Sequence, residues 1–400
     1  MNDTTILPFY LMQNVIQNYA WGSTQSINHL FNIPNPEHQP QAEIWMGAHP
    51  GGCSQIISGN QQHSLAGFIQ SHLSLCLSEQ IRQAYGALPF LFKVLAAEKA
   101  LSIQVHPCKQ DAEIGFAQEN QQQIPLDAPQ RNYKDPNHKP ELVYALTPYH
   151  ALNGFRPLEE IIQTLTEMNI LPIESLVNQL RADRSESGFQ SFFVHLLSLS
   201  GEQKSLAIQA LLAYAAQYQE ENRLARLILE LAQDYPEDIG LFSAILLHYV
   251  VLQPGEAMYL DARTPHAYLK GTGLEVMASS DNVLRAGLTP KHIDVQELAK
   301  CTSFAPKPKE TLLVSPKKEG EIRHYPVPVS DFKFSIYPMP ADITLTTTSA
   351  EIIFAIDDVV HLHHENGMTL SLQKGQSAFV PASACAYTLS SSGRVARVYN

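Results

Sequence analysis

The stretch Leu101-Ser102-Ile103-Gln104-Val105-His106-Pro107 alternates apolar and polar residues. In a β-strand successive side chains point to opposite faces. Leu101, Ile103 and Val105 then share one face, and Ser102, Gln104 and His106 the other. The apolar face belongs in a core, and the polar face offers an amide oxygen and an imidazole to whatever it encloses. Working outward, His138-Lys139-Pro140-Glu141-Leu142-Val143 is a second segment of this kind, with Lys139 and Glu141 on one face. Thr264-Pro265-His266-Ala267-Tyr268 sets another histidine beside a strand. Gln104, His106, Glu141 and His266 make a four-donor set that suits one zinc ion per chain. Only Glu141 is anionic, so the bound ion would keep about one net positive charge under ordinary ionisation and would polarise a substrate oxygen. A lone Gln-x-His is most often structural, so spacing by itself says little.

The 400 residues predict two or three domains, and 44% hydrophobic content supplies ample cores. A formal charge of −12 argues against a nucleic-acid surface and requires any anionic substrate to be met by a local cluster of cations. Cys53, Cys76, Cys108, Cys301 and Cys385 are odd in number, scattered and without CxxC, as expected of reduced thiols rather than a disulfide framework. The first residues lack a signal-peptide pattern, and the most apolar window, 240–252, is too short to span a bilayer. A soluble, cytoplasmic chain with no membrane or nucleic-acid partner is expected, as is a monomer.

Residues up to about 150 show short apolar runs broken by Gly, Pro and Asn, a β texture. Within the apolar run 89–95, Lys93 needs a partner or a cavity. Residues 110–136, rich in Gln, Asn and Asp, read as a long polar loop, either solvated or a lid over the site. From 157 to 249 the period becomes helical, ending in a helix over 241–248 capped by Pro236-Glu237-Asp238. The β texture then returns, with a turn at Gly271-Thr272-Gly273. A helical block between two β segments that share one ligand set reads as an insertion into a single β-domain. The divisions expected are 1–156 with 250–305 for the site-bearing domain, 157–249 for the insertion, 306–316 for a linker and 317–400 for a C-terminal β-domain.

That C-terminal part carries a worn copy of an earlier piece. Pro254-Gly255-Glu256 through Pro265-His266-Ala267-Tyr268 matches Lys374-Gly375-Gln376 through Ala384-Cys385-Ala386-Tyr387 with one deletion, placing Cys385 where His266 stood. A duplicated β-barrel unit whose second copy lost a metal ligand is the expectation. His361, His363 and His364 lie beside a Glu365-Asn366-Gly367 turn and read as an exposed loop. Cys108 reads as a packed thiol and His138, of opposite strand parity to Lys139, as a structural group.

Five segments in order, 88–95, 100–107, 133–141, 255–268 and 278–291, together resemble the type I mannose-6-phosphate isomerases. The likeness runs from about Asn14 to Thr302 and more loosely beyond. It implies a mainly β fold of two cupin-type jelly-roll barrels with a helical insertion, and a zinc enzyme acting on a sugar phosphate. It implies interconversion of mannose 6-phosphate and fructose 6-phosphate, with Gln104, His106, Glu141 and His266 as metal ligands. Lys139 and Arg285 are implied as active-site cations, with Lys93, Ser102 and Asp281 lining or supporting the pocket. Family members often carry an acidic or amide residue where this chain has Cys108.

Aldose–ketose isomerisation moves a proton between C2 and C1 through a cis-enediol, and needs an electrophile, a proton carrier and a grip on the phosphate. Lys139 is the preferred carrier and Glu275 a rival, while the planar fork of Arg285 suits phosphate or enediolate. Two alternatives stand beside this reading: a non-enzymatic metal-binding cupin that binds or senses sugars, and an iron-dependent cupin dioxygenase. The second would need more histidine ligands and open positions for oxygen.

Overall fold

The computed structural model describes residues 6–59 and 61–400. The organising element is one 13-residue strand, His266–Ala278, which has four strand partners. Its first half pairs with Tyr149–Phe155 and, through His266 opposite Gln104, with Ile103–Val105. Its second half pairs with Phe90–Ala97 and Glu141–Ala145. The switch of partners occurs at Gly271, whose φ of +117° is open to glycine. A Cβ there would come within 2.5 Å of the Pro148 carbonyl. The Gly271-Thr272-Gly273 stretch is therefore a bend inside a continuous strand, not the expected turn between two. The glycines let the chain curl so that one strand serves two faces.

Ten strands form the sheet around this element, and Leu284–Gly287 extends it by pairing with Ile103–Val105. The C-terminal strands divide between a four-stranded sheet (Ile343–Thr346, Ala386–Ser391, Val360–His363 and Thr369–Leu372) and a nine-stranded sheet, in which Tyr10–Gln13 pairs with Ser377–Val380 and is followed by Gln55–Ser58. The nine-stranded sheet is thus completed by the start of the chain, which the division at 317 did not anticipate. Phe92, Phe334, Phe354 and Phe379 belong to a shared apolar core that joins it to the ten-stranded sheet.

The insertion is helical from Leu158–Met168 to Arg223–Asp234. Asn222 caps the last of these, accepting from the Leu224 and Ala225 N–H groups. The expected helix over 241–248 is shorter. A 3₁₀ turn at Ile239–Phe242 and one helical turn at Ser243–Leu246 lead into the strand Leu247–Leu252, so His248 lies on a strand. Phe155, at the end of its strand, stacks on Phe304 and meets Phe189 and Phe193 edge-on, stitching insertion to barrel.

The polar stretch 110–136 is half helix. Lys109–Gln121 is α-helical, capped by the Cys108 thiol, which accepts from the Asp111 N–H. Cys108 is therefore a helix cap. His361 and His363 lie exposed on the strand Val360–His363, not on a loop. Among the described residues no helix is long and apolar enough to cross a membrane.

Candidate active site

His106, Glu141 and His266 converge at the ten-stranded sheet, all buried, with a donor atom of each within 4.8 Å of the others. His106 Nε2 lies 3.2 Å from Glu141 Oε1, and His266 Nε2 lies 3.4 Å from Glu141 Oε2. The other ring nitrogens settle the tautomers. His106 Nδ1 donates to the Asn282 carbonyl at 2.6 Å, and His266 Nδ1 donates to the Thr264 carbonyl at 2.9 Å. In the neutral ring each Nε2 then carries a lone pair, and both face a carboxylate. Acceptor against acceptor in a buried site is unfavourable unless a cation lies among them. His106 Nε2 has no hydrogen-bond partner among the described residues. Orientation of a ligating imidazole through its other nitrogen is how metal sites fix their histidines, so the donor set fits a metal ion.

Protonation supports this. Burial, reinforced by Lys139, holds the His106 imidazole down to about 4, so it is neutral near pH 7. Burial opposes the charge on Glu141, but Lys139 and His106 outweigh it and keep the carboxyl well below its usual range. The Tyr268 hydroxyl donates to Glu141 Oε2 at 2.7 Å and fixes its rotamer. Gln104 sits opposite both His266 and Arg285 in the pairing, which puts the three side chains on one face. Its Nε2 donates to Ser102 Oγ at 3.3 Å, leaving the amide oxygen uncommitted among the described residues.

A small cavity of about 60 Å³ opens on this cluster, lined by Lys93, Ser102, Gln104, Lys139, Glu141, His266 and Glu275 of the expected residues, and by Glu43 and Tyr268 in addition. Lys139 Nζ stands 3.3 Å from Glu141 Oε1. Lys93 finds the partners its burial demands: Glu275 at 3.0 Å, Glu43 at 3.6 Å and the Trp45 ring beneath it. Burial pushes the Glu275 carboxyl up, against the pull of Lys93. Asp281 is not on the cavity wall. Its carboxylate is largely exposed and meets His49 Nε2 at 3.4 Å.

Arg285 lies next to the cavity on the neighbouring strand and makes no ion pair among the described residues. Burial lowers its guanidinium and, with Arg285 close by, also lowers Lys134 and Lys291. Three cations without carboxylate partners among the described residues form the local positive cluster that a −12 chain needs for an anion. Lys134 and Lys291 were not assigned from the sequence, although both lie inside quoted segments.

A further residue escaped the sequence reading. Asn282 is fully buried, and besides offering its carbonyl to His106 it holds the segment leading to Lys139. Its side chain accepts from the Lys134 N–H at 2.6 Å and donates to the Asp135 and Asn137 carbonyls at 2.7 and 2.8 Å. His138 turns away from the cluster and bonds Asp331 at 3.1 Å, the structural role expected.

The pattern of the type I phosphomannose isomerase catalytic domain matches residues 9–158, that of the family's helical insertion domain 161–247, and that of the mannose-6-phosphate isomerase cupin domain 321–400. The mannose-6-phosphate isomerase of Shigella flexneri is 47% identical over 97% of this chain and 98% of its own. The chain belongs to the type I phosphomannose isomerases. The human mannose-6-phosphate isomerase is 37% identical over 92% of each chain. Among solved structures, a mutant phosphomannose isomerase from Salmonella typhimurium superposes with a TM-score of 0.94 at 44% identity, covering 98% of this chain and 100% of its own. A zinc-bound mannose 6-phosphate isomerase superposes at 0.93, with the same identity and coverage. With relatives of that name across nearly the whole length, the phosphomannose isomerase reading prevails, and the non-enzymatic and dioxygenase alternatives lapse.

Proposed function

We propose that this chain interconverts mannose 6-phosphate and fructose 6-phosphate by carrying a proton between C1 and C2 through a cis-enediol, with one zinc ion held by Gln104, His106, Glu141 and His266. The observation that carries the metal is the pair of Nε2 atoms turned on the Glu141 carboxylate, with both Nδ1 atoms committed to backbone carbonyls. Bound there, zinc would supply a Lewis acid for charge developing on the substrate oxygens. Lys139 is the proton carrier in this reading, placed beside the ligand carboxylate and on the cavity wall. Arg285, Lys134 and Lys291 hold the phosphate, Arg285 through its planar fork. Glu275, with its raised carboxyl locked to Lys93, is the rival carrier. Ser102 orients Gln104, and Asp281 stands outside the cavity as a support for His49.

The test is a coupled assay on mannose 6-phosphate before and after chelation, with metal analysis at each stage. Turnover should vanish with the ion and return on zinc add-back. Activity that persists in protein shown to be metal-free removes the zinc role. Lys139→Met should lower kcat by about 10²–10⁴-fold, the usual worth of a general base, with zinc content unchanged. If only Glu275→Gln has that effect, the proton passes to Glu275.

A further inference from the structure

Lys307 lies in the segment joining the two β units, outside the site described above, and it is held unlike any other lysine of the chain. Its main-chain N–H donates to the Phe155 carbonyl at 2.8 Å, and its carbonyl bonds His248 Nε2 at 2.9 Å. Its stem lies across Gly154, where a Cβ would come within 2.7 Å of it and φ is +70°. The amine is thereby turned inward, donating to Asn153 Oδ1 at 3.0 Å and to the Tyr259 carbonyl at 3.2 Å. Among the described residues these are its only partners, and it makes no ion pair. An amine has two protons and one lone pair, an ammonium three protons. With two acceptors in place one position on the nitrogen is left unpaired, and Lys307 lines a cavity of about 360 Å³ together with Phe155, Asp261, Pro265, Ser303, Pro306 and Pro328 among others.

We infer that Lys307 is a nucleophilic amine open to N-acylation by an uncharged acyl thioester. The lone pair attacks the thioester carbonyl, the C–N bond forms and the C–S bond breaks. The sulfur departs as a thiolate, which takes up the proton the amine loses, so the products are an amide and a free thiol. The wall chemistry selects this class of donor. Phe155 and the prolines suit an uncharged acyl chain, whereas the Asp261 carboxylate, with no second cation on the wall, repels an acyl phosphate. Burial holds the Lys307 amine down to about 8, opposed only by Asp261. The other charged groups nearby do not offset this. His248 bonds the main chain of Lys307, and Lys309 is engaged with Glu160 at 2.8 Å.

The experiment uses the full zinc-loaded chain, S-acetyl-N-acetylcysteamine as thioester and acetyl phosphate as the anionic comparison. Site occupancy is followed by peptide mass spectrometry at low conversion from pH 6.5 to 9.5. At pH 7.5 Lys307 should be acetylated by the thioester at least tenfold faster than the exposed Lys309 and Lys318. Its rate should level off above about pH 8. With acetyl phosphate that preference should shrink to less than threefold. Equal rates at Lys307 and Lys309, or a Lys307 rate still climbing through pH 9.5, overturn the inference. A preference for acetyl phosphate overturns the choice of donor.

Discussion

Each ligand of the candidate metal site is held by a group that does not itself touch the ion position, and Asn282 holds more than any other. Its carbonyl fixes the His106 tautomer, and its side chain ties the turn 134–137 that delivers Lys139 and Glu141. Asn282→Ala keeps the carbonyl but frees the turn, taking the side-chain partner from the Asp135 carbonyl and from the Lys134 and Asp135 N–H groups, while the Asn137 carbonyl keeps the Ser280 hydroxyl. Groups that orient metal ligands are typically worth about 10–100-fold in affinity. Asn282→Ala should weaken zinc by that amount in a chelator competition, with recovery of kcat at saturating zinc. Unchanged zinc affinity would show that the turn holds itself. The convergence of His106, Glu141 and His266 was legible in the sequence because imidazole and carboxylate carry recognisable chemistry at strand spacing. Asn282, Lys134 and Lys291 were not, because an asparagine or a lysine in a polar run acquires meaning only from partners distant in the chain.

At the scale of elements, the strand His266–Ala278 sets the geometry, since it carries a ligand before its bend and Glu275 after it. Gly271→Ala would force a Cβ against the Pro148 carbonyl and Tyr149 at a φ of +117°. Strain and overpacking together should cost about 3 kcal/mol. That is readable as a lower urea midpoint at unchanged slope, along with loss of zinc. A midpoint equal to that of the parent chain would mean the bend is not tight. Two glycines in three residues read locally as a turn, and only the neighbouring strands reveal a bend. The helix Lys109–Gln121 was missed for the opposite reason. Its face is too polar to show an apolar stripe, and it is fastened by polar bonds. The Glu119 carboxylate takes the Asn132 and Tyr133 N–H groups and pairs with Arg131, while Asp111 pairs with Arg263. Helical periodicity was legible in the insertion, where leucines and phenylalanines fill a core.

Across the whole molecule, the repeat seen in the sequence extends to the pairing register. Glu141 opens a strand on which Val143 faces Glu275 and Leu260 faces Glu141. Glu351 opens a strand on which Ile353 faces Arg397 and Val380 faces Glu351. The tyrosines correspond too, since Tyr268 donates to Glu141 and Tyr387 donates to Glu351. By this register Arg397 stands where the first unit has Glu275, and its guanidinium grips Glu351 directly. The second unit thus neutralises its buried carboxylate with a built-in cation, while Cys385, in the place of His266, is exposed. A metal has neither a vacancy nor a full ligand set there. Zinc content should therefore be one per chain by elemental analysis, and should stay at one in Cys385→Ala. Arg397→Ala should leave that number unchanged yet destabilise the C-terminal unit by about 3–5 kcal/mol, the cost of orphaning a buried charge. Because Tyr10–Gln13 pairs with Ser377–Val380 and joins the same sheet, the loss should appear in a single unfolding transition shared with the start of the chain. A separate low-stability step confined to the C-terminal strands, or two zinc ions per chain, would refute this division of roles.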